Sequence, residues 1–518
     1  NRDILHRLEQ TEQLCHSLWN LVVKSLAAAC CQEGDLLIFN PLATPTRCVI
    51  HTTLYSRADN ITLTYQGQPL PFNVLERETL PGGTAISLTC EGERETHLPP
   101  YFRWHVVLQT PLLPPVGYIT VNVKDTPAPF ARTCAAKGEA IENTVYRLTL
   151  EAGTLVLEDK RNARRITSLF SLEDCADAGD SYDFSPLAGD VPTRCAHFTL
   201  IDCSKTPLCQ TMVLEAVMSL PPDLAGRREN TRTPLSMRIV CELRHDDPNL
   251  HVDSSLVNSH CDHRLRLLIN SDICTRHSLA SQPFSIIERK TGYDDTHWQE
   301  RYREKPVDIE TSEGIIAIAQ AGKALVVNSR GMKEFQVIGR DPAVIALTLF
   351  KSTGVLGRSD LDWRPGRASG INNTVVDTPD AQLLKPLHFS FTVALADNAD
   401  HLTLRQLENQ ATGHPFTYQR QTLHTLDNRL ERFSLRLPER TLPAEFSLFA
   451  LPEPLVLSAL PHAQRSPGTI ARVFNAGTQP VPVPAGLAER PQLNYLEEHV
   501  PSVTTIPPSA TCDFLIEA

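Results

Sequence analysis

The run Val145-Tyr146-Arg147-Leu148-Thr149-Leu150-Glu151-Ala152-Gly153-Thr154-Leu155-Val156-Leu157 decides the architecture. Its first six residues alternate in polarity, as do Thr154 to Leu157, and Gly153 supplies a turn between them. Period-two alternation either side of a glycine reads as two paired strands with one face buried. The same signature recurs downstream at 198–201, 211–218, 235–243, 249–257, 264–269, 314–320, 324–329, 335–338 and 344–350. So many strands fit two large sheets packed face to face better than one closed barrel.

Upstream, shorter strands at 36–39, 48–55, 61–65, 84–89, 101–109 and 116–123 are spaced by Pro, Gly and Asn, which points to a small β-sandwich. Residues 124–139, with Pro127, Pro129 and Gly138, read as a linker. Only the first 31 residues show a strong helical period: Ile4, Leu8, Cys15, Leu18, Val22, Leu26 and Ala29 form one apolar stripe. Asn1 is a candidate cap and Gly34 the stop. Such a helix needs partners that do not follow it in sequence. The expected divisions are 1–34, a helix that packs either on the β-domains or on partners upstream; 35–125, a small sandwich; 126–386, a large two-sheet supersandwich; and 387–518, a C-terminal β-region closing the sandwich. The stretch 397–440 is polar and fits no element.

With 518 residues the chain is long enough for about three domains. A net charge of −11 without a long basic run gives no electrostatic footprint for nucleic acid. No stretch approaches the roughly 20 apolar residues of a membrane span. Fourteen cysteines occur without a CxxC or a repeated spacing, which suggests reduced thiols and a cytoplasmic setting.

Chemistry is sparse. His245, Asp246, Asp247, His251, His260, Cys261, Asp262 and His263 offer zinc-type donors, but alternate residues of a strand face opposite ways, so few converge. There is no Gly-x-Ser-x-Gly elbow and no glycine-rich phosphate loop. Gly179-Asp180-Ser181-Tyr182-Asp183-Phe184-Ser185-Pro186 reads as a turn followed by a short strand on which Tyr182 and Phe184 share a face. Those aromatics serve either as core or as rings offered to a ligand. The long segment 281–306 carries Trp298 and Tyr302, candidates for the same mouth.

This last motif resembles one in the C-terminal β-region of glycoside hydrolase family 38, the α-mannosidases. Glu142 to Arg147 with Leu157 to Lys160, Asn258 to Leu268, Ser329 to Phe335 and Leu361 to Gly370 agree with that family in order and spacing. The bacterial mannosylglycerate hydrolase branch is the nearest in pattern.

The resemblance implies a zinc-dependent retaining α-mannosidase, acting on mannosides such as mannosylglycerate or its 6-phospho form. It also implies that 1–34 is the last helix of a bundle, that 126–386 is of mutarotase-like type, and that the zinc, held by two His and two Asp, lies with the nucleophile and acid/base in an N-terminal catalytic domain missing from this chain. This chain would then hold no catalytic residue and no metal, and would be inactive alone. Homo-oligomerisation is compatible with it. Tyr182, Asp180 and an arginine, Arg364 or Arg367, are the implied substrate-binding residues. The same arginines suit ion pairs with Asp360 or Asp362. The alternative is a self-contained carbohydrate-binding or mutarotase-like β-protein, with His263 or His297 and a nearby glutamate as the acid–base pair.

Overall fold

A computed structural model describes residues 2–126, 138–293, 296–366, 374–424 and 441–516. Asn1, Arg367 and most of the expected linker lie outside the described residues. The chain is mainly β, as its periodicity predicts. The hairpin that opened the reading forms with Leu148 opposite Leu157 and Leu150 opposite Leu155, all on strands Tyr146–Glu151 and Thr154–Asp159.

That hairpin belongs to a four-stranded sheet beside two larger ones, of six and nine strands. One continuous core joins the three, with Tyr146, Leu157, Phe170, Leu214, Leu267, Phe335, Leu347 and Phe391 fully or almost fully buried. The pleat explains the selection, because residues two apart point to one face and the apolar member of each pair turns inward. Pro386–Ala396 is an inner strand of the nine-stranded sheet, between Leu250–Val257 and Lys323–Arg330. The division expected at 386 therefore does not separate sheets; alternation marks a strand but not its sheet.

The small sandwich packs a three-stranded sheet on a six-stranded one around Trp104, Leu54, Ile38 and Ile119. Two of its strands come from far downstream: Phe416–Gln419 pairs with Leu36–Asn40, and Glu445–Ser447 pairs with Gly117–Asp125. Strand Phe72–Leu80 fills a place the sequence reading left empty. Gly83–Thr89 instead forms an exposed hairpin with Gly92–Leu98 and adds nothing to the core. The C-terminal strands at Leu455–Ala459, Thr469–Asn475 and Thr511–Ile516 make a separate sheet with its own core at Val473, Ile506 and Phe514, rather than closing the large sandwich.

The helix Arg2–Cys30 buries side chains only in its last third, while at its start Arg2 pairs with Asp380 at 2.7 Å. Val23 and Ala27 pack with Leu37 and Tyr118, flanked by Trp19. Ile4, Leu8, Leu18 and Val22 of the expected stripe are exposed. A second helix, His401–Thr412, occupies part of the segment that fitted no element. Asp400 caps it by accepting the Thr403 N–H at 2.8 Å, and Leu404, Leu407 and Ala411 are buried.

Candidate functional site

One end of the six-stranded sheet gathers the pieces of a cavity. Ala176 pairs with His263, Arg264 with Lys351, and Thr311 with Glu334, so strands Phe170–Ala176, Val344–Lys351, Glu334–Ile338 and Ile309–Thr311 all present a terminus there. Two loops rise from this end, one over 177–186 and one around 357–366. Between them lies a cavity of about 390 Å³, lined by Tyr182, Phe184, Lys305, Lys351, Trp363 and Arg364 among others.

The 177–186 segment is a loop, not the expected strand. Two carboxylates take its N–H groups before a neighbouring strand can. Asp177 accepts from Gly179 at 2.9 Å and from Ser185 at 3.2 Å. Asp180 accepts from Tyr182 at 2.9 Å and from Asp183 at 3.1 Å. Local side-chain acceptors of this kind compete directly with a ladder. The curl is tight enough that a Cβ on Gly179 would lie 2.0 Å from the Asp183 carbonyl oxygen.

Arg364 ties this loop to the other. Its Nη2 donates to Asp180 at 2.7 Å and to the Arg358 carbonyl at 2.9 Å, while Nη1 pairs with Asp183. The Arg358 N–H also reaches Asp180 Oδ2, at 2.9 Å. Asp180 is therefore fully buried with both oxygens engaged, beneath the cavity rather than in its lining. Burial opposes its charge, but Arg364 and the two backbone N–H groups hold its pKa below the usual carboxylate value. Burial likewise works against Arg364, and its two carboxylates overrule it, raising its pKa. Arg364 thus pairs with acids of the other loop rather than with Asp360 or Asp362, and Asp360 accepts the Gly366 N–H at 3.0 Å within its own turn; Arg367 lies outside the described residues.

Asp177, three residues before Asp180, has the opposite balance. Burial pushes its carboxyl up to about 6, against Lys351 at 3.8 Å and the two N–H groups. Its Oδ2 is buried, faces Lys351 and accepts no hydrogen bond.

Above this charged floor stand rings. Tyr182 is 53% exposed. Phe184 meets Trp363 edge-on at 5.4 Å and carries the Arg264 guanidinium 3.7 Å from its centroid. Lys305 Nζ sits 4.5 Å over Trp363, and its backbone N–H bonds the Trp363 carbonyl at 2.8 Å. Acids and bases balance in the lining: Asp183, Glu304 and Glu334 against Lys305, Lys351 and Arg364. Ring faces with balanced donors and acceptors suit a polyhydroxylated ligand.

Of the sequence-derived site residues, Tyr182 and Arg364 line the cavity and Asp180 supports them. Trp298 is buried and Tyr302 exposed, both outside the lining. Lys305, Lys351, Trp363 and Glu334 were not foreseen, being scattered over sixty residues with no motif to join them.

The suspected donor cluster disperses into separate pairs. His251 bonds Asp247 at 2.7 Å, His260 bonds Thr233 at 2.9 Å, and Asp262 accepts from Gln382 at 2.8 Å. His263 is buried between Asp174 at 2.6 Å and Asn258 at 3.1 Å, with no route to a substrate. His297 lies 3.5 Å from Glu300 on the open surface, outside the cavity. Among the described residues, one group of three donors converges: His51, Cys209 and Glu242, within 4.8 Å of one another. It shares no residue with the cavity, and its donor types are not the two histidines and two aspartates that the family resemblance implies for a catalytic zinc.

No family model matches the chain. A curated relative named putative mannosylglycerate hydrolase, from Halalkalibacterium halodurans, is 22% identical over 262 residues. That match covers 47% of this chain and 27% of the relative. A crystal structure of an alpha-mannosidase from Enterococcus faecalis superposes over 100% of this chain and 60% of its own, with a TM-score of 0.77 at 17% identity. A second Enterococcus faecalis structure, of a protein in glycosyl hydrolase family 38, gives 0.76 at 16% identity over 63% of its length. The likeness at these identities is one of fold, and the chain spans less than two-thirds of each protein.

Proposed function

We propose that this chain is the C-terminal β-rich part of a family 38 α-mannosidase, and that it frames the substrate rather than cleaving it. The observation that carries this is the cavity at the loop tips, where Tyr182, Trp363 and Phe184 surround balanced charges on a fold of α-mannosidase type. In this reading the intact enzyme is a zinc-dependent retaining glycosidase. Its metal, nucleophile and acid/base are supplied by residues outside this chain. The substrate is an α-mannoside such as mannosylglycerate, free or phosphorylated. The donors present here do not fit the catalytic metal, so this chain contributes no step through it.

Its own residues bind and orient. Tyr182 offers a ring face and a phenol for a sugar hydroxyl, and Trp363 a broad apolar face for the C–H side of a pyranose. Arg364 has its guanidinium fork occupied by Asp180 and Asp183. It acts as the positioning residue that keeps Tyr182 at the rim. Lys305 is the better candidate for a glycerate carboxylate, as an ammonium already drawn over the Trp363 ring.

Hydrolysis of a nitrophenyl α-mannoside separates the possibilities. This chain alone should show no turnover, and the complete gene product should turn over. Turnover by residues 1–518 alone would overturn the framing role.

A further inference from the structure

The seam between the small sandwich and the large sheets holds a second concentration of chemistry. His51 lies on strand Val49–Ser56 of the small sandwich. Cys209 begins strand Cys209–Leu220, and Glu242 lies near the end of Thr233–Arg244, two strands of the nine-stranded sheet. Cys209 pairs with Arg244 across that ladder, so Glu242, two residues earlier, is its diagonal neighbour on the same face. The seam is packed around them: Val49 and Val107 of one sheet meet Leu208 and Cys209 of the other, and Asn73 accepts the Leu208 N–H at 3.0 Å.

We infer that His51, Cys209 and Glu242 form a zinc site that fastens the small sandwich to the large β-domain. The geometry is close to what the ion needs. His51 Nε2 lies 3.1 Å from Glu242 Oε2, near the ~3.3 Å edge of a tetrahedron with metal–ligand bonds of about 2.0 Å. The Cys209 sulfur is within 4.8 Å of both, so a shift of about 1 Å brings it to bonding distance. A water can take the fourth position, since the His51 side chain is 40% exposed.

The surroundings support the same conclusion. Arg244 Nε bonds Glu242 Oε1 at 2.5 Å, which orients the carboxylate so that His51 Nε2 faces both of its oxygens, at 3.2 Å from Oε1 and 3.1 Å from Oε2. A thiolate–imidazole–carboxylate set selects zinc over magnesium or calcium, which prefer oxygen alone. This departs from the expectation that the chain holds no metal. The sequence hid the site, because its members lie 158 and 33 positions apart.

The test uses the whole 518-residue chain, stripped with EDTA and dialysed against zinc, then against cobalt(II). The expected result is one equivalent of tightly held metal, a cobalt–thiolate charge-transfer band, and a higher unfolding temperature with zinc. Cys209→Ser should abolish the band, and His51→Gln, at an exposed position that does not threaten folding, should weaken binding at least tenfold. Cys274→Ser, an exposed thiol elsewhere, should change neither. Sub-stoichiometric metal, or undiminished binding in His51→Gln, would overturn the inference and leave an ordinary ion pair between Glu242 and Arg244. Metal content is read independently of mannoside hydrolysis, so neither outcome bears on the framing role.

Discussion

Replacing Asp180 with Asn tests whether a buried ion pair holds the cavity rim in shape. The Asn oxygen can still accept from the Tyr182 and Asp183 N–H groups. Its Nδ2 would instead face two donors, Arg364 Nη2 at 2.7 Å and the Arg358 N–H at 2.9 Å. Removing one partner of a buried pair costs about 3–5 kcal/mol. Asp183 retains its hold on Arg364 from a half-exposed position, which favours the lower end, about 3 kcal/mol. The chain has several cores, so one global unfolding midpoint would blur the effect. Hydrogen exchange at the Tyr182 and Asp183 amides reads it locally, and about 3 kcal/mol predicts exchange faster by roughly a hundredfold. Because the Asp180 pKa is depressed in the fold, its contribution is present above the unfolded value and fades as pH falls toward the folded one. The gap between wild type and variant should therefore narrow in acid. Adding Arg364→Met should recover part of the loss, with a coupling of at least about 1 kcal/mol. Exchange unchanged in Asp180→Asn, or strictly additive effects in the double variant, would refute the latch.

Asp177 should behave with the opposite sign. Its pKa rises from 3.8 unfolded to about 6 folded. The protonated fold is thus favoured below pH 4, and stability drains away as pH climbs to 6, by up to about 3 kcal/mol. Asp177→Asn should remove that slope, seen as the difference between the two proteins' denaturation profiles from pH 4 to 7; parallel profiles would contradict the assignment. Gly179→Ala, whose methyl would collide with the Asp183 carbonyl, should loosen the 177–186 loop by about 2 kcal/mol or more in exchange measurements, while Gly83→Ala, with open space around it and no positive φ, should leave that loop intact. In the complete gene product, Tyr182→Ala and Trp363→Ala should raise KM for a mannoside about tenfold, roughly the value of a stacking contact, with a smaller change in kcat.

Much of the fold was legible because sheets advertise themselves by alternation. Tyr146 to Leu157 could be read as a hairpin from its own residues, and the register bears that out. Alternation is silent about which sheet a strand joins, so Pro386–Ala396 and Phe416–Gln419 went to unexpected neighbours. His401–Thr412 was obscured because only Leu404, Leu407 and Ala411 turn inward from a mostly polar run. In the candidate site, the Gly179 to Pro186 motif brought Asp180 and Tyr182 to notice, and the Leu361 to Gly370 stretch brought an arginine, Arg364 or Arg367. Its strand reading failed because Asp177 and Asp180 satisfy the loop's own N–H groups. Lys305, Lys351 and Trp363 converge only through tertiary structure, and no local pattern announces them.

The central claim is that the loop cavity receives the sugar. Hydrogen exchange of the complete gene product, with and without mannosylglycerate, addresses it most directly. The account predicts slower exchange confined to peptides spanning 181–184, 304–307 and 361–366. Protection that spares these three segments and falls elsewhere on the β-domains would contradict it.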